Sequence, residues 1–231
     1  KFAAKNIINK FDKIITITKW EIPYLLELGA SRDKIVYIPN GIPEEFFKLK
    51  KQSKEQNKIL FLGRISRIKN LEVVIKSMPL IKENLIFEIV GPAEKDYLLH
   101  LRDLAKKAGV EKRVVFSKPI FDIKEKIKKI DSAKIFVLSS KSEGMPQSLI
   151  EAMARGKIVI ASDNKGAKDL IKNNETGYLF KIGNEIELAK IINSALEQNN
   201  AKIKKEAKKS VEQFSWDKIV PKLETLIKNQ S

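Results

Sequence analysis

Two short stretches bring together side chains suited to holding an anion. The first, Gly63-Arg64-Ile65-Ser66-Arg67-Ile68-Lys69-Asn70, follows the apolar run Ile59-Leu60-Phe61-Leu62. Glycine lets a backbone approach a bound group closely. Arg64 can grip phosphate oxygens with two parallel N–H bonds, and Lys69 adds a compact positive charge. The pair suits a diphosphate, although a solvated basic turn is the plain alternative in a lysine-rich chain. The second stretch is Ser139-Ser140-Lys141-Ser142-Glu143-Gly144-Met145-Pro146-Gln147-Ser148-Leu149-Ile150-Glu151. Pro146 suits the first position of a helix, which would turn free backbone N–H groups toward an anion. Glu143 precedes this helix and Glu151 lies inside it, about 1.5 turns from its start at 3.6 residues per turn. Two carboxylates beside a phosphate would repel it, so their fitting partners are hydroxyl groups. The alternative is an ordinary loop acid and a surface helix acid.

Both stretches need a scaffold that brings them to one edge. Strand-like runs rich in β-branched residues occur at 14–18, 35–39, 58–63, 85–91, 114–117, 134–139, 157–162 and 178–180. Several, such as Ile135-Phe136-Val137-Leu138, are apolar on both faces, the pattern of parallel strands covered by helices on two sides. Between them, apolar residues recur at helical spacing. Examples are Leu71, Val74, Ile75 and Met78; Tyr97, Leu101, Leu104 and Ala108; and Trp216, Ile219, Val220, Leu223 and Leu226/Ile227 behind a capping Ser215. Alternation of β and α predicts an α/β fold, a Rossmann-like doubly wound parallel sheet. Such sheets bind ligands at the carboxyl ends of their strands, where both anion-suited stretches fall.

The bulk properties exclude other chemistries. With 43% apolar residues in 231, the chain can bury a core. No apolar run approaches the 18 or so residues of a membrane helix. The absence of cysteine removes thiolate chemistry, and a single histidine removes a histidine-rich metal site. Both facts agree with a cytoplasmic protein. The net charge of +16 would fit nucleic acid, an anionic membrane or phosphorylated small molecules. No basic stretch alternates with aromatics as single-strand binders require, so nucleic acid is not expected as a partner. The lysines at 124, 126, 128 and 129 read as an outer helix face. His100 sits roughly 100° from the centre of its helix's apolar stripe and reads as a flanking surface residue.

The run Glu143-Gly144-Met145-Pro146-Gln147-Ser148-Leu149-Ile150-Glu151-Ala152-Met153-Ala154 resembles the Glu-x7-Glu motif of the group 1 family of retaining glycosyltransferases. The Gly63-Arg64…Lys69 loop is similar to that family's diphosphate loop. Pro39-Asn40-Gly41-Ile42, Ile89-Val90-Gly91, Asn174-Glu175-Thr176-Gly177-Tyr178-Leu179 and Phe214-Ser215-Trp216 match in order. The resemblance covers roughly residues 10–228. It implies one half of a two-domain B-type fold, the C-terminal half that binds a nucleoside diphosphate sugar.

By the same resemblance, Arg64 and Lys69, with Gly63, neutralise the diphosphate. Glu143 accepts from donor-sugar hydroxyls, and Gly144, Met145 and Pro146 border the phosphates and sugar. Glu151 binds the ribose, N–H groups near Ser148 and Leu149 hold phosphate, and Ser117 and Lys118 lie at the base. Catalytic roles fall to Glu143, Arg64 and Lys69, with no metal and no cofactor. The family's usual glycine at 117 is Ser here, the turn usually written with two glycines reads Lys165-Gly166-Ala167, and Gly91-Pro92-Ala93 lacks a common second glycine.

The implied organisation has four parts. Residues 1–45 are the tail of an N-terminal acceptor domain, 46–57 a linker, 58–213 the donor domain and 214–231 a helix crossing back. The chain starts at Lys1, not Met, and reads as a fragment inactive by itself. The acceptor, a glycan or lipid-linked saccharide, would be held by the absent half. Peripheral contact with the inner membrane face is a further expectation. A stand-alone nucleotide-sugar binding or regulatory module acting with another chain is the alternative reading.

Overall fold

Each of the expected strand runs becomes a strand in the computed structural model, which describes residues 7–228. The ends of the segments 1–45 and 214–231 therefore lie outside the described residues. Two strands, β1 (Ile14–Thr16) and β2 (Ile35–Tyr37), pair in parallel around helix α1 (Ile22–Glu27). Six more form one parallel sheet: β3 (Gln56–Leu62), β4 (Ile86–Val90), β5 (Val114–Ser117), β6 (Ala133–Leu138), β7 (Ile158–Ser162) and β8 (Tyr178–Phe180). Their order is β5-β4-β3-β6-β7-β8. Chain direction across the sheet reverses between β3 and β6, and there the loops leaving two neighbouring strands diverge and open a crevice.

Helices cover both faces. On one side α3 (Glu72–Ser77) packs against α4 (Lys95–Lys107) and α8 (Glu185–Glu197). On the other, α2 (Glu45–Lys48) meets α5 (Ile123–Asp131) and α6 (Gln147–Ala154), and α6 packs on α9 (Ala201–Val211). With both faces covered, the central strands bury Ile59, Leu60, Phe61, Ile135, Phe136 and Val137 completely. α7 (Lys165–Leu170) leads from β7 to β8, and α10 (Trp216–Lys228) closes the described chain.

The segment read as a linker, 46–57, is pinned to the sheet domain. Phe46 is buried, and Gln56 already belongs to β3. The Arg155 guanidinium donates to the carbonyls of Phe46, Leu49 and Lys50. Asp131 accepts from the Gln52 backbone N–H at 2.7 Å. A polar composition thus conceals backbone groups whose partners come from α5 and the end of α6.

Two motifs far apart in sequence meet. Ile42 N–H donates to the Phe214 carbonyl, Trp216 N–H donates to the Ile42 carbonyl, and the Trp216 ring lies over Gly41. Beyond this contact α10 buries little of its apolar stripe. Ile219 is buried, but Val220, Leu223 and Ile227 are exposed. The helical spacing is there, but no described element covers that face.

Candidate functional site at the strand-order reversal

The loops leaving β3 and β6 lie side by side at the reversal. Ser139 Oγ donates to the Lys69 carbonyl at 2.8 Å, and Lys141 N–H donates to the Ile68 carbonyl at 2.8 Å. The two candidate stretches are therefore joined backbone to backbone, and their side chains follow. Lys69 Nζ lies 2.6 Å from Glu143 Oε1, which also accepts from Ser140 Oγ at 2.5 Å. Both side chains of the ion pair are mostly buried, at 20% and 13% exposure. Arg64 is exposed and has no ion pair among the described residues.

Glycines set the shape of this edge. A Cβ on Gly91, whose φ is +149°, would sit 1.9 Å from the Gly63 carbonyl oxygen. The ends of β3 and β4 can approach only because Gly91 has no side chain. Gly166 lies so close beneath the second loop that a Cβ there would be 2.4 Å from the Gly144 oxygen. The single glycine left in this turn is thus the one the packing requires. At Gly144 a Cβ would meet nothing within 4 Å. The protein leaves open space beside that residue.

The approach to α6 differs from the expected one in two ways. Pro146 is the residue before the helix, with φ −75° and ψ 98°, and the helix begins at Gln147. Leu149 N–H already donates to the Pro146 carbonyl at 3.1 Å, because the first turn closes tightly. In the first turn of α6 the amides without an acceptor among the described residues are therefore those of Gln147 and Ser148. Met145 is half-buried against the core.

Glu151 points inward and is only 4% exposed. Its Oε1 lies 2.6 Å from Lys126 Nζ, while Oε2 is buried with no hydrogen-bond partner. An orphaned buried carboxylate oxygen is unfavourable until a donor arrives. Burial pushes the Glu151 carboxyl above its usual range, against the pull of the Lys126 ammonium. A carboxyl raised in this way favours folding fully at pH below its unfolded value and loses that contribution as pH rises through the folded value. The charge at neutral pH is thus a burden on the fold. Glu151→Gln is expected to melt at a higher temperature than the parent at pH 7, the gap closing as pH falls toward 4.5. Thermal melts at both pH values check this, and a less stable variant at pH 7 overturns it.

At the end of β5, Ser117 turns its hydroxyl to Glu88 Oε1 at 2.7 Å. Glu88 is buried and has Lys58 and Lys129 each 2.7 Å away. Burial would raise its carboxyl, but the two ammonium groups and the Ser117 hydroxyl outweigh it and hold it at about 2. A serine at this position is accommodated because a buried carboxylate accepts its hydrogen bond. Lys118 follows, exposed.

Sequence reasoning missed several of these partners. Lys126 and Lys129 were expected on an outer face, yet they flank the buried stripe Ile127 and Ile130 and fold inward onto acids. Their spacing beside that stripe was the available signal; their acidic partners are remote in sequence. Tyr97 was expected only as core. Its hydroxyl accepts from Leu71 N–H at 3.0 Å and donates to Glu72 Oε2 at 2.5 Å, holding the chain as it leaves the Gly63–Asn70 loop. His100, expected as a flanking residue, is half-exposed and stacks on Tyr97.

The chain matches the family described as "Glycosyl transferases group 1" over residues 42–230. It is 30% identical to an uncharacterized glycosyltransferase of Methanocaldococcus jannaschii, over 95% of this chain and 59% of the relative. It is 32% identical to a Campylobacter jejuni α-1,4-N-acetyl-D-galactosaminyltransferase acting on an undecaprenol-linked saccharide, over 63% of this chain and 40% of that protein. Among solved structures, Anabaena HepE in complex with UDP and glucose superposes with a TM-score of 0.88 at 22% identity, covering 99% of this chain and 66% of HepE. Sucrose-phosphate synthase of Thermosynechococcus elongatus gives 0.85 at 23% identity, over 99% of this chain and 61% of that one. The chain thus spans about three fifths or less of the curated relatives named here.

Proposed function

The chain belongs to the group 1 glycosyltransferases, and from that membership we propose that its six-stranded domain binds a nucleoside diphosphate sugar as the donor for sugar transfer. One observation carries the reading. At the reversal of strand order, a cationic loop with a free Arg64 faces Glu143, and a buried Glu151 lacks a donor for Oε2. A diphosphate, a sugar and a ribose supply what each lacks. The superposition with a structure holding UDP and glucose supports the same ligand class.

In this proposal Arg64 and Lys69 sit where negative charge grows as the bond between the anomeric carbon and the diphosphate oxygen breaks. Fixed cations there stabilise the transition state more than the ground state. The open amides of Gln147 and Ser148 add the positive end of α6. Gly63 and Gly144 let the phosphates and sugar approach, with Met145 and Pro146 as the wall beside them. Glu143 orients the sugar through its hydroxyls, and Glu151 accepts from the ribose. Lys118 and the backbone at Ser117 border the base. Two cations would do the charge work that other transferases assign to a metal, with retention at the anomeric carbon. Among the described residues no acidic or histidine cluster could hold a metal ion.

The acceptor, a glycan or lipid-linked saccharide, belongs in this proposal to the part of the enzyme outside this chain, so the chain alone is expected to bind donor without transferring it. No described helix is long and apolar enough to cross a membrane. Placement in the cytoplasm, with peripheral contact at the inner membrane face through the basic surface, is part of the same proposal.

The test is a thermal-shift titration with UDP, GDP, ADP and their sugar derivatives. A ligand at 100 times its dissociation constant adds about 2.7 kcal/mol, and for a domain of this size about 2–4 °C per kcal/mol follows. One nucleotide should therefore raise the midpoint by about 5–10 °C, an effect absent in Arg64→Ala and Glu151→Ala. No shift with any of them, in a folded protein, would sink the donor-binding reading.

A further inference from the structure

The backbone of the Glu143–Gly144 loop is met by two elements, and one of them is remote. Beneath it, α7 presents Gly166 so closely that a Cβ would lie 2.4 Å from the Gly144 oxygen and 2.6 Å from the Glu143 oxygen. Trp20 Nε1–H donates to the same Gly144 carbonyl at 3.2 Å. No other donor reaches that carbonyl among the described residues. Trp20 comes from the β1–β2 unit, 124 residues away in sequence and in a sheet of its own.

The indole is itself held in place. Its ring meets Tyr24 edge-on, with centroids 6.0 Å apart. The Lys165 ammonium, from the first turn of α7, lies 5.4 Å from the Trp20 ring centroid and 4.4 Å from that of Tyr24, and it contacts the Tyr24 hydroxyl. A cation over an aromatic face is attracted to it, so α7 and the Trp20–Tyr24 pair hold each other. Beside them, Lys19 N–H donates to Asp169 Oδ2 at 3.0 Å. The β1–β2 unit therefore grasps α7 and the loop above it in one contact.

We propose that Trp20 is a positioning residue for the donor loop, fixing the Gly144 peptide through its indole N–H and so making donor affinity depend on where the β1–β2 unit sits. The inference rests on the donor reading above. Glu143 is held at its carboxylate by Lys69 and Ser140, while its backbone packs on Gly166 and the next peptide accepts from Trp20. A side chain tethered at both ends has one orientation toward a sugar. When the unit shifts, the Gly144 carbonyl loses its donor and the loop keeps only its packing on Gly166.

The test uses the two indole N–H resonances of the chain, since Trp20 and Trp216 are its only tryptophans. Trp20→Phe keeps an aromatic ring for Lys165 and Tyr24 while removing the indole N–H along with one ring of the bicycle; the resonance it abolishes is that of Trp20. In the ligand-free parent the Trp20 indole proton should exchange with water more slowly than a free indole, and the resonance should move when UDP, GDP or ADP binds. Trp20→Phe, at an unchanged melting temperature, should bind that nucleotide about fivefold more weakly, the factor a single hydrogen bond commands. An indole proton exchanging at the free rate, or a Phe variant binding as tightly as the parent, overturns the proposal. If none of the three nucleotides stabilises the parent, the donor reading fails, and the exchange rate alone then decides whether Trp20 holds the loop.

Discussion

Arg155→Ala should destabilise the chain by about 3–5 kcal/mol, the range for removing one partner of a buried ion pair. Arg155 Nε and Nη2 lie 2.9 and 2.8 Å from the two oxygens of Asp131, and the side chains are 6% and 2% exposed. The same guanidinium donates to the carbonyls of Phe46, Leu49 and Lys50. The substitution strands a buried carboxylate and frees three acceptors together. A lysine cannot replace the planar fork that serves four partners, so Arg155→Lys should recover little. The double variant Arg155→Ala/Asp131→Ala should lose less than the sum of the two single variants, because no charge is left stranded. Urea unfolding measures all of these. A loss below about 1 kcal/mol in Arg155→Ala, the range of exposed pairs, would mean that water reaches Asp131 and the 46–52 segment is not held this way.

The second large effect is a pair of opposite signs at the donor site. In the ligand-free chain Lys69 is neutralised by Glu143 at 2.6 Å. A diphosphate must share the ammonium with Glu143 and accept a carboxylate as neighbour. Glu143→Gln keeps the shape and removes the charge. It should tighten binding of the bare nucleoside diphosphate roughly five- to tenfold, as loss of a like charge a few ångströms away commands at a partly buried site. Lys69→Met should weaken binding of the same ligand about 10- to 100-fold, the value of a charge-assisted hydrogen bond. The advantage of the nucleotide sugar over the bare nucleotide should shrink in Glu143→Gln, since the sugar hydroxyls lose a charged acceptor. Calorimetry with both ligands measures this. If the ion pair merely braced the loops, both substitutions would weaken binding alike, and that outcome removes Glu143 and Lys69 from their assigned roles.

Much of this architecture was legible in the residues. Strands buried on both faces must be apolar throughout, so Ile59-Leu60-Phe61-Leu62 and Ile135-Phe136-Val137-Leu138 announce a covered parallel sheet. The anion-suited loops could be placed because they follow those runs directly. Less was legible where identity depends on a distant partner. The 46–57 segment is polar in composition, yet Arg155 and Asp131 hold it to the sheet domain. Val220, Leu223 and Ile227 keep helical spacing, yet no described element covers them.

By itself, then, the sequence determined the alternation of strand and helix, the loops that carry Arg64, Lys69, Glu143 and Glu151, and the family. Each of these is local: periodicity, a turn residue, or a motif read over about a dozen positions. Only the tertiary structure decided that Lys69 spends its charge on Glu143 and that Glu151 is buried with one oxygen unmatched. It also decided that Lys126 and Lys129 turn inward and that Trp20 reaches Gly144 across 124 residues. The reason is that the energy of a charge or a polar atom depends on its burial and its partners. Both arise from strands and helices far apart in the chain, after the sheet has been assembled.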